Sequence, residues 1–330
     1  MTAMGSTSAP SDQTIGGLGE GGLVRAVAAL ASGPTGSHPD VLIGPGDDAA
    51  LVRVGGGEVL VSVDVAVEGR HFRRDWSSAA DVGHRVAAAN LADVAAMGGV
   101  ARTLVVALSA PADLPAQWAV DLTRGLLAEC EPMGARLVGG DVCEADVVSV
   151  AVTVLGELPG RVVRRAGARP GDVVAVTGRL GWAAAGLAVL SRGFRSPRVL
   201  VEAHRRPEPP YAEGPVAAAA GATAMIDVSD GLLADLAQLA GASDVSIDVR
   251  SGSLLVAEPL QAVGAALGTD PLGLVLTGGD DHALAATFPA DVALPDGWTG
   301  IGAVSAGAGV TVDGATYDGP GGHRHFAGRG

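Results

Sequence analysis

The chain contains no lysine: all 22 basic residues among its 330 are arginines. That absence removes the amine needed for Schiff-base or pyridoxal phosphate chemistry, the Lys of a Walker A P-loop and the strand Lys of a protein kinase. Any phosphate bound here is held by Arg, by backbone N–H groups or by metal. Cysteine is scarce as well. Cys130 and Cys143 lie outside any C-x-x-C or Cys/His ligand spacing, which argues against a disulfide framework or structural zinc and points to two reduced thiols in a cytoplasmic protein. Aromatics make up only 3%, so Ala, Val, Leu and Gly must fill the core. Apolar runs such as Leu104 to Leu108 and Val216 to Ala220 fall far short of the ~20 residues that span a bilayer. The first basic residue is Arg25 and no long apolar stretch precedes it, so no secretory signal is expected.

Acids are abundant. The formal net charge of −14 repels nucleic acid and anionic membranes and removes the attraction that dominates non-specific DNA binding. Hydrophobic residues at 48% against 18% charged allow ample burial and argue against disorder over most of the length. A prior of roughly 150 residues per domain gives two domains, and hence a cleft.

Residues 1–20, rich in Ser, Thr, Gly and Pro without periodicity, read as a mobile arm. Domains are expected over 21–158 and 159–330. A short helix is predicted over Leu23 to Ala31. Ala49 to Val54 and Val59 to Asp64 predict two strands joined at Gly55-Gly56-Gly57, a hairpin with acids near one end. Ala79 to Met97 has helical spacing and stops at Gly98-Gly99. Strand Ala101 to Ala110, helix Leu114 to Met133, a short strand Arg136 to Val138 and strand Val147 to Leu158 follow. Beyond Pro159, Asp172 to Thr177 (strand), Trp182 to Ser191 (helix), Ala224 to Asp227 (strand), Leu232 to Ala242 (helix) and Leu272 to Leu276 (strand) alternate, an α/β layering.

Five stretches put aspartate against an apolar run or a glycine turn: Gly46-Asp47-Asp48, Ser62-Val63-Asp64, Asn90-Leu91-Ala92-Asp93, Gly139-Gly140-Asp141 and Asp227-Val228-Ser229-Asp230-Gly231. Taken singly, Gly and Asp are ordinary turn residues, and a helix-borne Asp is often a solvated stripe. The last stretch carries more. One cap needs one side chain, yet three oxygen-bearing groups lie between a strand end and a helix start. An uncompensated carboxylate beside a core is costly or protonated, so repeated placement of this kind suggests cations, and hard oxygen donors select Mg²⁺. No G-x-S-x-G elbow appears, and no G-x-G-x-x-G follows a strand.

In order, these segments resemble the thiamine-monophosphate kinase family, of the superfamily that includes aminoimidazole ribonucleotide synthetase and selenophosphate synthetase. The likeness runs from about Gly44 to Phe326. Its most specific part is Ser62-Val63-Asp64 followed by Val67-Glu68-Gly69-Arg70-His71-Phe72, close to the family's V-E-G-x-H-F. NLADVAAMG from Asn90, GGD at Asp141, DVSDGL at Asp227 and GGDD at Asp280 agree in order and spacing. The resemblance implies an α/β (α+β), two-domain fold of the aminoimidazole ribonucleotide synthetase type. It also implies phosphorylation of thiamine monophosphate to thiamine diphosphate by ATP with several Mg²⁺ ions, in a homodimer paired through its amino-terminal sheets.

By the same resemblance, Asp48, Ser62, Val63 (through its carbonyl), Asp64, Asp93, Asp141, Asp227 and Asp230 hold metal. Gly140, Asp141, Arg165 and Ser229 contact ATP, and His71, Asp280 and His323 the thiamine phosphate. Two positions depart from the family. Asp280 stands where it usually has Glu, and His323 in Gly322-His323-Arg324-His325-Phe326 stands where it has an aromatic. The chemistry agrees: an acceptor phosphate already ionised near pH 7 needs charge cancellation more than a general base. A superfamily enzyme with another acceptor and a non-catalytic divalent-cation binder are the alternatives.

Overall fold

The computed structural model describes residues 39–319 together with Gly22. The expected arm, the Leu23 to Ala31 helix and His323 lie outside the described residues.

The first half is a six-stranded sheet of β1 (Val41–Ile43), β2 (Ala50–Val54), β3 (Gly57–Val67), β4 (Val100–Ala110), β5 (Arg136–Glu144) and β6 (Ser149–Glu157), in the order β1-β2-β3-β6-β4-β5. β2 and β3 form the predicted hairpin, and its turn needs Gly55 in the left-handed region, φ 60°. Two helices cover one face: α1 (Ala79–Ala96) and α2 (Ala116–Cys130). Ser78 starts α1 through a capping box, its Oγ accepting the Asp81 N–H at 3.2 Å while Asp81 Oδ2 accepts the Ser78 N–H at 3.0 Å. Gly98, at φ 78°, ends it as predicted. The helices cross at glycines, since a methyl on Gly83 would overlap the Leu122 carbonyl and one on Gly125 the Ala80 carbonyl. Leu60, Leu91, Leu104, Leu122 and Val152 lie in the core between helices and sheet.

The second half is another six-stranded sheet, of β7 (Val173–Thr177), β8 (Ala224–Val228), β9 (Ser246–Val249), β10 (Ala283–Phe288), β11 (Thr299–Ser305) and β12 (Gly309–Val312), in the order β12-β9-β11-β7-β10-β8. With it run α3 (Trp182–Ser191), α4 (Arg198–Arg205), α5 (Glu213–Ala220), α6 (Leu232–Ser243), α7 (Glu258–Leu267) and α8 (Pro271–Thr277). Two expectations fail. Leu272 to Leu276 lies in α8, because Asp270 caps the segment by accepting the Leu272 and Gly273 N–H groups and Pro271 pre-sets its first turn. Gly139-Gly140-Asp141 lies inside β5, where pairing with β4 carries the strand on past Val138.

The two halves meet where α1 ends. The Val163 N–H donates to the Met97 carbonyl, and a methyl on Gly214 of α5 would overlap the Ala95 carbonyl. A third apolar cluster, including Ala96, Val163, Met225 and Phe288, spans this seam. Among the described residues no single helix is long and apolar enough to cross a membrane.

Candidate active site

Each acid of the site arrives on its own element. The β2–β3 ladder opens with Ala50 opposite Val61, so Asp48, just before β2, and Ser62 to Asp64, within β3, fall at one end of the hairpin. α1 lies over that end and supplies Asp93, whose Oδ2 accepts a 2.6 Å hydrogen bond from Ser62 Oγ. From the other half, β8, buried along its whole length, ends at Asp227 and Val228. Asp48, Asp93 and Asp227 each place a carboxylate oxygen within 4.8 Å of the others.

Such crowding is unfavourable without cations. Burial first, then Asp227, push Asp48 up to about 7, even though Arg165 pulls it down. Burial and then the charges of Asp64, Asp227 and Asp48 raise Asp93 well above the usual carboxylate range. Asp64 is raised by burial and Asp227 against the opposing pull of His282. Asp48 Oδ2 is buried with no hydrogen-bond partner, an orphan that an oxygen-seeking cation satisfies. An all-oxygen set of clustered carboxylates and a serine suits Mg²⁺ and does not suit soft metals.

Arg165 faces this cluster. Its Nη2 donates to Asp48 Oδ1 at 2.7 Å, its Nη1 to Gln238 Oε1 at 2.9 Å, and its backbone N–H to Asp47 Oδ1 at 2.6 Å. Gln238 in turn donates to Asp235 Oδ1 at 3.1 Å. Asp235 Oδ2 accepts the N–H groups of Asp230 and Gly231, bracing the turn that carries Ser229 and Asp230. Gly231 at φ 117° provides a backbone that other residues rarely adopt.

A second loop lies against this turn. The Asp280 N–H donates to the Ser229 carbonyl at 2.9 Å and the His282 N–H to the Val228 carbonyl at 3.1 Å, and a methyl on Gly279 would overlap the Ser229 carbonyl. Asp280 and His282 both hold positive φ, 67° and 51°, strain of the kind that gathers at functional sites. His282 Nδ1 is 2.9 Å from Asp227 Oδ2. Asp280 ion-pairs with Arg85 at 2.7 Å, and its pKa is lowered because Arg85 and the nearby His282 outweigh the upward push of burial. On the far side, His71 Nδ1 accepts the Val67 N–H at 3.0 Å.

Ser62, Asp64, Asp93, Asp48 and Asp227 are therefore gathered in one place. Asp141 and Gly140 are not. In register, Asp64 lies opposite Val152, Val152 opposite Val106 and Val106 opposite Gly140, whereas Asp141 aligns with Ala107, Ala151 and Val65. Side chains alternate along a strand, so Asp141 takes the face of Val65, away from α1. It is exposed there, on the face that carries the likewise exposed Val63 and Val65. Sequence reasoning missed Arg85, Asp235 and His282 as site residues. The available signals were GGDDH, which names His282, and the acid four positions after Gly231.

Family models describing AIR synthase related proteins match both halves, the N-terminal domain over residues 46–158 and the C-terminal domain over residues 169–290. Thiamine-monophosphate kinase from Mycobacterium tuberculosis is 48% identical over 289 residues, 87% of this chain and 86% of that one. The chain belongs to the thiamine-monophosphate kinase family. As a thiamine-monophosphate kinase family member it is an enzyme, a phosphotransferase with the two-domain AIR synthase related fold. The solved structure of AaThiL complexed with AMPPCP and TMP superposes with a TM-score of 0.86 at 33% identity, covering 94% of this chain and 97% of that one. Thiamine monophosphate kinase from Aquifex aeolicus gives a TM-score of 0.81 at 30% identity, covering 93% and 100%.

Proposed function

We propose that this enzyme transfers the γ-phosphoryl group of ATP in line to the phosphate of thiamine monophosphate. An acceptor phosphate oxygen forms a bond to the γ-phosphorus as the bond to the β,γ-bridging oxygen breaks, giving thiamine diphosphate and ADP. The observation that carries the proposal is the convergence of Asp48, Asp93 and Asp227 within 4.8 Å, with Arg165 fixed on Asp48, in a chain of this family.

The acceptor needs no general base, because a phosphate monoester is largely ionised near pH 7, with a second pKa of about 6. The difficulty is charge, since acids crowd the place where two phosphates must meet. Asp48, Ser62, Val63 through its carbonyl, Asp64, Asp93, Asp227 and Asp230 would hold Mg²⁺ ions. Bound there, Mg²⁺ would supply the charge neutralisation that lets two phosphates approach. Arg165, already fixed by Asp48 and Gln238, adds the fixed positive charge that lysine provides elsewhere. The Ser229 turn presents its hydroxyl and backbone to the nucleotide, and His71, Asp280 and His323 take the thiamine phosphate.

The protein acts as a homodimer in the cytoplasm, with neither nucleic acid nor membrane as partner. Support for pairing comes from the uncovered face of the first sheet, where Val63 and Val65 are 59% and 51% exposed. Gly140 and Asp141 lie on its edge strand, away from the acid cluster of their own protomer. Their contacts with nucleotide and metal are made across the dimer. The two sheets, each with its own core, support a domain division near residue 158.

The test is purified protein with Mg²⁺, ATP and thiamine monophosphate, with thiamine diphosphate measured as product. Formation of thiamine diphosphate and ADP in equal amounts is the expected result. ATP turnover with another acceptor only, or Mg²⁺ binding without turnover, would sink the reading.

A further inference from the structure

Arg85 was not singled out by any motif, yet it stands where three parts of the molecule meet. It rises from α1 with a side chain only 13% exposed, and its two terminal nitrogens are committed in different directions. Nη2 lies 2.7 Å from Asp280 Oδ2, and Nη1 donates to the His204 carbonyl of α4 at 2.9 Å. A planar guanidinium can serve both at once, which a single ammonium cannot do with fixed geometry. Among the described residues Asp280 is the acid recorded in an ion pair with Arg85.

The His204 ring beside this pair is neutral. The His204 ring is buried with both nitrogens 3.4 Å from Arg85 Nη1. Burial, and next the charge of Arg85, push it down to about 3. A neutral ring leaves Arg85, with the nearby His282, as the cations acting on Asp280. On its other side the ring meets Trp76 edge-on, centroids 6.4 Å apart, and the Trp76 carbonyl accepts a 2.6 Å bond from Arg205. A continuous wall thus runs from the segment after His71, through Trp76, His204 and Arg85, to Asp280.

We propose that Arg85 is a positioning residue for the acceptor substrate, holding the Asp280 carboxylate in the orientation that recognises the thiamine end of thiamine monophosphate. The inference rests on the kinase reading given above. Thiamine carries a cationic thiazolium ring and an aminopyrimidine N–H donor, both of which an ionised carboxylate can meet. The main chain of Asp280 is fixed by its N–H to Ser229 and its left-handed backbone. Arg85 fixes the side chain, and Oδ2 is its contact, which leaves Oδ1 for the substrate. Aspartate reaches less far than the glutamate of the wider family, so its direction matters more. Because Arg85 comes from the first half and Asp280 from the second, the same pair holds the two walls of the cleft at a fixed spacing.

The test uses the full-length enzyme and the variants Arg85→Gln, Arg85→Lys, Asp280→Asn and Arg85→Gln/Asp280→Asn, in steady-state assays that vary each substrate. Arg85→Gln is expected to raise KM for thiamine monophosphate about tenfold or more while KM for ATP stays within about twofold, the mark of a misplaced binding group. Arg85→Lys should recover part of the loss, and the double variant should be no worse than the poorer single one. An unchanged KM for thiamine monophosphate, equal rises in both KM values, or fully multiplicative effects in the double variant would overturn the proposal. Should Arg85→Gln not fold, calorimetric binding of thiamine monophosphate to Asp280→Asn decides: affinity equal to the wild type overturns the proposal, weaker affinity supports it. If the wild type forms no thiamine diphosphate, the kinase reading fails. Binding of thiamine monophosphate to wild type and Arg85→Gln then tests the role of Arg85 separately, with weaker binding in the variant supporting it and equal binding overturning it.

Discussion

Arg165 reaches from the start of the second half of the chain to Asp48 in the first, its Nη2 2.7 Å from Oδ1. The contact ties the acid cluster to the second half of the chain, at the place the proposed function gives to the nucleotide. Replacing Arg165 with Met removes the cation paired with Asp48, and it leaves Asp48 buried beside Asp227 with less compensation. KM for ATP is expected to rise about ten- to hundredfold, with KM for thiamine monophosphate within about twofold. Initial rates at varied ATP check this, and an unchanged KM for ATP would remove Arg165 from the nucleotide site.

Asp93→Asn and Asp227→Asn each remove one carboxylate from the crowded cluster that the proposed function gives to Mg²⁺. Turnover should fall about a thousandfold, the size seen when one preorganised electrostatic group is lost. Stability should move the other way for Asp93, whose ionisation the neighbouring acids oppose. At pH 8 without Mg²⁺ the Asp93→Asn protein should melt roughly 2–4 °C higher, about 1 kcal/mol for a chain of this class. A near-normal rate in either variant would show that the residue is not a ligand.

The pH dependence of stability follows from the same acids. Asp48 titrates at about 7 in the folded protein against 3.8 in the free side chain, and Asp64 and Asp93 shift in the same direction. A raised folded pKa means the native state binds more protons. The associated stability is therefore present at low pH and lost as pH rises through about 7. His204 has the opposite sign: its pKa is depressed to about 3, so its contribution is lost as pH falls below 6.5. Above pH 6.5 His204 no longer changes its proton count, and the acids set the slope. Urea midpoints of metal-free protein should fall from pH 6.5 through about 7, and saturating Mg²⁺ should abolish the fall if it binds the ionised cluster. A midpoint that rises with pH in metal-free protein would contradict the clustering.

Gly125→Ala tests the packing that places Asp93. A methyl there would overlap the Ala80 carbonyl of α1, so α2 must move away or bend. Overpacking of this kind costs about 1–3 kcal/mol, read as a lowered melting temperature. A shift of under about 1 °C would mean that the helices have slack at this crossing.

Much of the local structure was legible in the sequence because local chemistry specifies it. The Ser78 cap and Gly98 stop bracket α1, Gly55 makes the hairpin turn, and Gly231 forces the turn after β8. Leu272 to Leu276 misled because a short apolar run has no period of its own. The cap at Asp270, just outside the run, decided in favour of a helix. GGD misled because glycines that read as a turn instead sit in a strand, where a methyl at Gly140 would overlap the Val106 carbonyl.

The site divides along the same line. Sequence by itself identified Asp48, Asp93 and Asp227 as acids out of place, and the absence of lysine left metal, arginine and backbone N–H groups as the means of holding phosphate. Both conclusions depend only on residue type and local context. Tertiary structure alone decided that these three carboxylates converge, that Asp141 faces away from them, and that Arg85 and His282 hold Asp280 and Asp227. Those facts depend on strand register and on how α1 and the second sheet pack together. Residues far apart in the chain meet through such packing, and no short stretch of sequence encodes it.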